Sequence, residues 1–201
     1  MMLKNIVCGC RLSGLVGGVN DMKFTPMMTG SMPSRFDTDA PADVVNQGRE
    51  GSCVSQCLYE MVRYDRETLD HERCPIDRVW VYDRRQNKGV QGMAPREGLD
   101  ILQRGRIISL YAQIPSMMAA RSALVACGPI LIALPVYNTS DRFWLGDGRR
   151  EGYHAVTVTA YDEGGFTFKN TWGASWGVNG YGYISVNDFN HKVAESWVIL
   201  K

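Results

Sequence analysis

The sequence has no apolar run long enough to cross a bilayer and no excess of charge of either sign. The nearest candidate span, Ile130 to Val136, has the length of a strand, whereas a membrane helix needs roughly 18 to 20 apolar residues. The 22 basic and 21 acidic side chains leave a net charge of +1 over 201 residues. Without a basic surplus there is no polyanion-binding surface to expect. We therefore predict a soluble protein with neither a membrane nor a nucleic acid as partner.

A secretion signal is lacking as well. Lys4 supplies a positive charge, but the residues after it break off before an apolar stretch of about 7 to 15 residues can form. We expect a cytoplasmic or particle-associated protein. In a chain of this size without a signal, an even number of cysteines need not form disulfides, and we expect reduced thiols at Cys8, Cys10, Cys53, Cys57, Cys74 and Cys127.

The chain divides into an arm and a domain. Residues 1–33 show no sustained period of 2 or 3.6 and are predicted to form an irregular N-terminal arm. Free polar tails rarely become ordered, so an ordered arm would pack on its own body or on protein partners in an assembly. Residues 34–201 form the domain, with a helical lobe over about 46–115 and a β-rich lobe over about 116–201.

The coarse pattern of elements supports this division. Apolar periodicity predicts a long helix over about 52–66, and shorter helices around Asp77 to Gln86 and Pro95 to Arg104. Ser116 is predicted to cap a further helix that runs to Cys127. Strands are predicted from the apolar and alternating runs at 130–136, 154–161, 165–171, 181–186 and 196–200.

One chemistry-bearing segment lies just before the long helix. Cys53 follows a glycine-punctuated stretch and falls in the first turn of that helix. The positive end of the helix dipole and the unpaired N–H groups there favour a thiolate over a thiol. Gln47, a few residues upstream, is close enough for its amide to stabilise an oxyanion together with the Cys53 N–H. This segment therefore predicts a nucleophile with an oxyanion hole.

A second segment supplies a base. His154 opens one predicted strand and Asn170 ends the next, so a hairpin can bring the two side chains together at one end of a sheet. An Asn carbonyl oxygen would then fix the tautomer and orientation of the imidazole, which accepts the thiol proton. Trp172, two residues further on, is expected to shield that hydrogen bond from water.

These segments together resemble the papain-like cysteine proteases. The resemblance rests on Q-G-x-x-G-S-C at 47–53, G-Y-H-A-V at 152–156, N-T-W-G-x-x-W-G-x-N-G-Y at 170–181 and the Gly128-Pro129-Ile130 entry to a strand. It implies an α+β fold of two lobes, with the cysteine on a helix of one lobe and an antiparallel β-rich second lobe. It also implies polypeptide substrates, no cofactor, and a site formed by Cys53, His154, Asn170 and Gln47, with Gly51, Ser52 and Trp172 lining or covering it.

The sequence also departs from that family in three ways. Glu50 and Val54 replace a cysteine and an aromatic residue of the signature, so the disulfide of secreted members cannot form there. The separation of Cys53 from His154 falls short of the roughly 130 to 150 residues of the signature. Only some 33 residues without periodicity precede the domain in this sequence, so we do not expect control by a long helical prosegment. These differences predict a compact member of a microbial or viral type.

Two other functions remain open from the sequence. The papain-like fold could serve as a structural or interaction subunit of a larger assembly such as a phage or viral particle, which a sealed Cys53 without an open cleft would favour. The same triad could also drive a peptidoglycan-directed amidase or transpeptidase, because an acyl-enzyme serves either acceptor. Cys57 is expected to be a core residue. No metal is predicted, because the combination of Cys8, Cys10, His71 and Cys74 lacks paired C-x-x-C arms.

Overall fold

A computed structural model describes residues 8–13, 22–26 and 31–201 of the chain. Its centre is an antiparallel sheet of seven strands among these residues, in the order β2-β7-β3-β4-β5-β6, with the short β1 paired to the end of β4. The strands are β1 (Phe36–Asp37), β2 (Leu110–Gln113), β3 (Ile130–Val136), β4 (Gly152–Tyr161), β5 (Gly165–Lys169), β6 (Tyr181–Ser185) and β7 (Glu195–Leu200).

Four α-helices lie around this sheet in the described residues. They are α1 (Cys53–Arg63), α2 (Pro95–Arg104), α3 (Met117–Cys127) and α4 (Val186–Lys192). A π-helical turn (Tyr64–Leu69) continues α1, and a short 3-10 helix covers Tyr82–Arg84. None of these helices has both the length and the hydropathy of a membrane span. Together with the antiparallel sheet, they confirm the predicted α+β fold class.

The sheet separates two hydrophobic cores. Successive side chains of a strand point to opposite faces, so Ile130, Ile132 and Leu134 of β3 enter the core beside α3, while Leu131 and Ala133 enter the core beside α1 and α2. Every residue of β3 is buried. This two-sided burial explains why the strand is a continuous apolar run instead of an alternating one.

Several predicted boundaries hold. The helix over Pro95–Arg104 is observed with the same limits. Ser116 caps α3 as predicted, because its side chain accepts a hydrogen bond from the N–H of Ala119 at 3.2 Å. The chain turns between β4 and β5 with a hydrogen bond from the Asp162 N–H to the Gly165 carbonyl. Helix α1 ends at Arg63, slightly before the predicted 66.

Other element predictions were wrong or incomplete. The helix predicted around Asp77 to Gln86 is reduced to the 3-10 turn, because turns at Asp77 and a contact with Ser55 hold that stretch: Ser55 Oγ donates to the Arg78 carbonyl at 2.9 Å and accepts from the Tyr82 N–H at 3.1 Å. Strand β2 and helix α4 were not predicted. Ser185 caps α4 by accepting from the Asp188 N–H at 3.0 Å, which ends β6 one residue before the predicted limit.

The described parts of the predicted arm pack on the body of the protein. Phe24 is buried in the core beside α3, and its N–H donates to the Gln113 carbonyl of β2 at 2.9 Å. Residues 8–13 contact the site described below. The remaining residues of the predicted arm, 1–7, 14–21 and 27–30, lie outside the described residues. The division into an arm and two lobes stays a prediction.

A buried ion pair joins α1 to β5. The Lys169 ammonium lies 2.6 Å from a carboxylate oxygen of Glu60, and both side chains are almost fully buried. Lys169 also donates to the carbonyls of Pro41 and Asp43, while Arg78 pairs with the other oxygen of Glu60. The pair therefore connects the helix that begins at Cys53 with the strand that precedes Asn170.

Candidate active site

Cys53 is the first residue of α1, and its side chain is completely buried. The preceding Ser52 occupies the N-cap position without a capping hydrogen bond from its side chain, and its hydroxyl accepts from Gln56 Nε2 at 3.5 Å. Helix α1 packs against β4, the strand that carries His154. The thiol therefore sits at the positive end of a helix, as predicted, and faces the sheet.

His154 and Asn170 are brought together by the pairing of β4 with β5. Residues of the two strands are opposite one another in an antiparallel register that includes Thr157 with Lys169. His154 Nε2 lies 2.7 Å from Asn170 Oδ1, and both side chains are fully buried. Asn170 Oδ1 also accepts from the Thr171 N–H at 2.7 Å, which holds the carboxamide in place. The predicted contact between the carboxamide and the imidazole is present.

The imidazole is enclosed by aromatic rings. Trp172 stacks on His154 with ring centroids 4.5 Å apart, and Phe143 meets the imidazole edge to face at 5.6 Å. Trp172 in turn contacts Phe143 at 4.9 Å and Trp176 at 5.8 Å. This aromatic cover keeps water from the hydrogen bond between His154 and Asn170.

One nitrogen of the imidazole is left without a partner. His154 Nδ1 is buried and has no hydrogen-bond partner within the described part of the chain. The backbone N–H of Ala155, the next residue, lowers the pKa of the Cys53 thiol, in line with the packing of α1 against β4. Since Nε2 is engaged by Asn170, Nδ1 is the nitrogen available to exchange a proton with the thiol.

Burial sets the protonation of both groups. Burial raises the pKa of the Cys53 thiol to about 12, although the N–H groups of Ala155, Gly9 and Val54 act in the opposite direction. Burial lowers the pKa of His154 to about 4, against the effect of the hydrogen bond to Asn170. Near neutral pH, the buried thiol and the buried imidazole are therefore both neutral. The thiolate predicted from the helix start is not favoured here, because burial outweighs the N–H groups around the sulfur.

Gln47 links the two chemistry-bearing segments. Its backbone N–H donates to the Thr171 carbonyl at 2.8 Å, and its side-chain Oε1 accepts from the Thr171 hydroxyl. Its Nε2 donates to the Glu50 carbonyl at 2.7 Å. A primary amide carries two N–H donors, so one donor of Nε2 is left for a ligand. The chain between Gln47 and Cys53 is thereby held against the strand end that carries Asn170.

Residues 8–13, which we call the covering segment, lie across the thiol. The Cys10 N–H donates to the Tyr153 carbonyl at 3.1 Å on one side. On the other side, the Met93 N–H donates to the Gly9 carbonyl at 2.9 Å and the Arg11 N–H donates to the Met93 carbonyl at 3.0 Å. The N–H of Gly9 points at the sulfur of Cys53. The groove beside Cys53 is therefore occupied by the protein's own chain.

The covering segment fits closely because three glycines meet there. A Cβ added to Gly9 would lie 2.3 Å from the backbone C and O of Gly51, and one added to Gly92 would lie 2.5 Å from the Gly9 oxygen. A Cβ added to Gly51 would lie 2.7 Å from the Gly92 nitrogen. Gly51, predicted to line the site, forms one wall of this narrow passage.

The comparisons with known proteins agree with this geometry. The profile described as papain family cysteine protease matches residues 45–199. The chain belongs to the papain family of cysteine proteases. Peptidase 1 of Dermatophagoides pteronyssinus is 30% identical over 152 residues, which cover 67% of this chain and 45% of that protein. Cathepsin J of Mus musculus is 31% identical over 130 residues, which cover 53% of this chain and 39% of that protein.

Solved structures show the same fold. Xylellain, a cysteine protease from Xylella fastidiosa, superposes with a TM-score of 0.79 at 18% identity, over 99% of this chain and 98% of that chain. The bromelain protease from Ananas comosus in complex with the E64 inhibitor gives a TM-score of 0.68 at 18% identity, over 83% of this chain and 98% of that chain. The papain-family chain described here spans less than half the length of the curated relatives it matches.

Sequence reasoning missed several contributors to the site. Cys8-Gly9-Cys10 was considered only as part of a metal site, and no group of His, Cys, Asp or Glu within residues 8–13, 22–26 and 31–201 is arranged to hold a metal ion. Its Cys-Gly-Cys sequence could have indicated a close backbone approach, because glycine is the residue such approaches require. Phe143 and Thr171 also escaped notice. No local pattern connects Phe143 with His154, whereas Thr171 directly follows Asn170.

Proposed function

We propose that this papain-family chain is a cysteine endopeptidase whose nucleophile is Cys53 and whose base is His154. One observation carries the proposal. His154 Nε2 lies 2.7 Å from Asn170 Oδ1 and its buried Nδ1 has no partner among the described residues, while the N–H of the adjacent Ala155 acts on the Cys53 thiol. A thiol, an imidazole and an orienting carboxamide are the groups that covalent acyl transfer needs in this order.

The reaction follows from these positions. The Cys53 thiol transfers its proton to His154 and the thiolate attacks the carbonyl carbon of a peptide bond. The oxyanion that forms accepts hydrogen bonds from the Cys53 N–H and from the remaining donor of Gln47 Nε2. His154 then gives the proton to the leaving amine, which leaves a thioester on Cys53. Water, deprotonated by His154, attacks the thioester and releases the carboxylic acid product.

The covering segment supports an extended polypeptide as substrate. The groove walls hold this segment through the main-chain groups of Tyr153 and Met93. Main-chain hydrogen bonds recognise a peptide backbone irrespective of its side chains, as in strand addition to a sheet edge. A peptide substrate would use these same groups once the covering segment has left, so hydrolysis requires its displacement.

The burial of Cys53 is also expected if the protein is a structural or interaction subunit of a larger assembly. We retain the peptidase because the body of the protein does not close the groove. The seal comes from residues 8–13, which are held at the groove by three main-chain hydrogen bonds and by side-chain hydrogen bonds of Arg11 and Ser13. A purely structural subunit would not need His154, Asn170 and Gln47 together beneath that seal.

A peptide-library digest tests the proposal. Fluorogenic peptides are incubated with the Gly9→Ala protein, which is expected to open the groove, and with the same protein carrying Cys53→Ala. We expect hydrolysis and labelling by a thiol-directed epoxide in the first protein and neither in the second. Cys127→Ala in the Gly9→Ala background is the matched control, because this cysteine lies at the end of α3, and it should retain both. Hydrolysis that survives Cys53→Ala would refute the assignment.

A further inference from the structure

Two other cysteines share the buried cluster of Cys53, and a third belongs to the same segment as one of them. Cys10 and Cys57 are buried in the same hydrophobic core as Cys53, whereas Cys8 is half-buried against the other core. All six cysteines of the chain are described, and all six are unpaired thiols. The proposed peptidase mechanism uses only Cys53. The remaining thiols around it therefore call for a separate explanation.

Cys10 is placed to reach Cys53. Gly9 packs against the residues just before α1, since a Cβ added to it would lie 2.3 Å from the backbone C and O of Gly51. Cys10, the next residue, lies in the same buried cluster as Cys53. A disulfide needs a Cα separation of about 4.4 to 6.8 Å. The covering segment is free to shift toward that separation, because hydrogen bonds hold it and no covalent link does.

The other two thiols are poorer partners. Cys8 packs into the opposite core, and its Cβ lies 2.8 Å from the point that a Cβ on Gly152 would occupy. Cys57 lies one turn further along the same rigid helix, and its thiol is hydrogen-bonded to the side chain of Thr157. Only Cys10 among them combines burial beside Cys53 with a position on a separable segment.

We propose that Cys10 and Cys53 form a reversible disulfide when the protein meets a small-molecule disulfide such as oxidised glutathione. With the covering segment lifted, the Cys53 thiolate attacks one sulfur of oxidised glutathione and releases one glutathione thiolate. When the segment returns, Cys10 loses its proton to solvent and attacks the Cys53 sulfur, which releases the second glutathione. Two protein thiols are oxidised to one disulfide, and one glutathione disulfide is reduced to two thiols.

This disulfide would turn a hydrogen-bonded cover into a covalent one. A thiol reductant would reverse it and return Cys53 to the free form. The bond would also protect Cys53 from the irreversible sulfinic and sulfonic states, because a disulfide is a reversible cap. The proposal does not depend on peptidase activity, since the bond forms between two residues of the same chain whether or not the protein hydrolyses peptides.

Peptide mapping gives a direct test. The full chain is incubated with oxidised glutathione, its free thiols are alkylated, and it is digested with trypsin without reduction. Trypsin places Cys8 and Cys10 together in peptide 5–11 and Cys53 and Cys57 together in peptide 50–63. We expect a cross-linked species of these two peptides that disappears after dithiothreitol, and fragmentation should assign the bond to Cys10 and Cys53.

Two serine variants sharpen the test. Cys10→Ser should reduce the cross-link to background, whereas the matched Cys8→Ser should retain it. The fragmentation of the unmodified protein decides the case if Cys10→Ser fails to fold by circular dichroism. A glutathione adduct on Cys53 alone, a bond between Cys8 and Cys10 within peptide 5–11, or a cross-link that persists in folded Cys10→Ser would each overturn the proposal. None of these outcomes bears on the peptidase assignment, which the Cys53→Ala digest tests separately.

Discussion

Replacing Gly9 by alanine should expose the thiol of Cys53. The new Cβ would lie 2.3 Å from the backbone C and O of Gly51, a distance that backbone atoms cannot tolerate. Gly51 cannot move away freely, because the backbone of Gly92 packs against it. A Cβ added to Gly51 would lie only 2.7 Å from the Gly92 nitrogen. The covering segment must therefore move, and its main-chain hydrogen bonds to Tyr153 and Met93 are lost or weakened.

The size of the effect follows from those hydrogen bonds. Three bonds hold residues 9–11 to the groove, at 2.9 to 3.1 Å. Each contributes about 1 kcal/mol net, so their loss costs about 3 kcal/mol of the covered state. Since about 1.4 kcal/mol corresponds to a factor of ten, the population with an open groove should rise by up to about 100-fold.

The rate of alkylation of Cys53 measures that population. Iodoacetamide labelling at neutral pH, followed by mass analysis of peptide 50–63, should be up to about 100-fold faster in Gly9→Ala than in the unmodified protein. Gly148→Ala is the matched control, because a Cβ at this exposed glycine meets nothing within 4 Å. Equal labelling rates in folded Gly9→Ala, Gly148→Ala and unmodified protein would refute the reasoning that residues 8–13 seal the site.

Two further predictions concern stability. Burial lowers the pKa of His154 from 6.5 to about 4, so the neutral imidazole stabilises the fold fully above pH 6.5 and this contribution is lost as the pH falls through 4. Between these pH values, the Tm of the unmodified protein should therefore drop more steeply than the Tm of His154→Gln. Parallel slopes would contradict the effect. Lys169→Met should lower the free energy of unfolding by about 3 kcal/mol in urea, because it leaves the buried Glu60 carboxylate short of a partner. Lys201→Met, which removes a half-exposed ion pair, should cost no more than about 1 kcal/mol; similar losses in both variants would argue against the buried pair.

Much of the site could be predicted because its chemistry constrains short stretches of sequence. Cys53 begins a helix, His154 lies on a strand and Asn170 directly follows the paired strand, so each could be found from its immediate neighbours. The papain-like fold followed from the same segments. Strand β3 could also be predicted, because a continuous apolar run of seven residues is typical of a strand buried on both faces.

The parts that sequence reasoning missed depend on contacts without a local pattern. The covering segment is held by main-chain hydrogen bonds and by side-chain bonds of Arg11 and Ser13 to residues far away in the sequence, so it carries no periodic signal. The expected helix around Asp77 to Gln86 gave way to a turn because the distant Ser55 hydroxyl binds that stretch at two points. Phe143 reaches His154 across a loop whose residues show no preference for that contact. In each case, tertiary contacts determined the structure, and local sequence propensity did not predict it.

The ion pair between Glu60 and Lys169 has a consequence for the reacting groups, although neither residue touches them. Glu60 belongs to the helix that starts at Cys53, and Lys169 is the residue before Asn170. Sliding the helix along the sheet would separate two opposite charges in an interior of low dielectric, where their attraction is strong. The pair therefore opposes any shift of Cys53 relative to the strand that leads to Asn170.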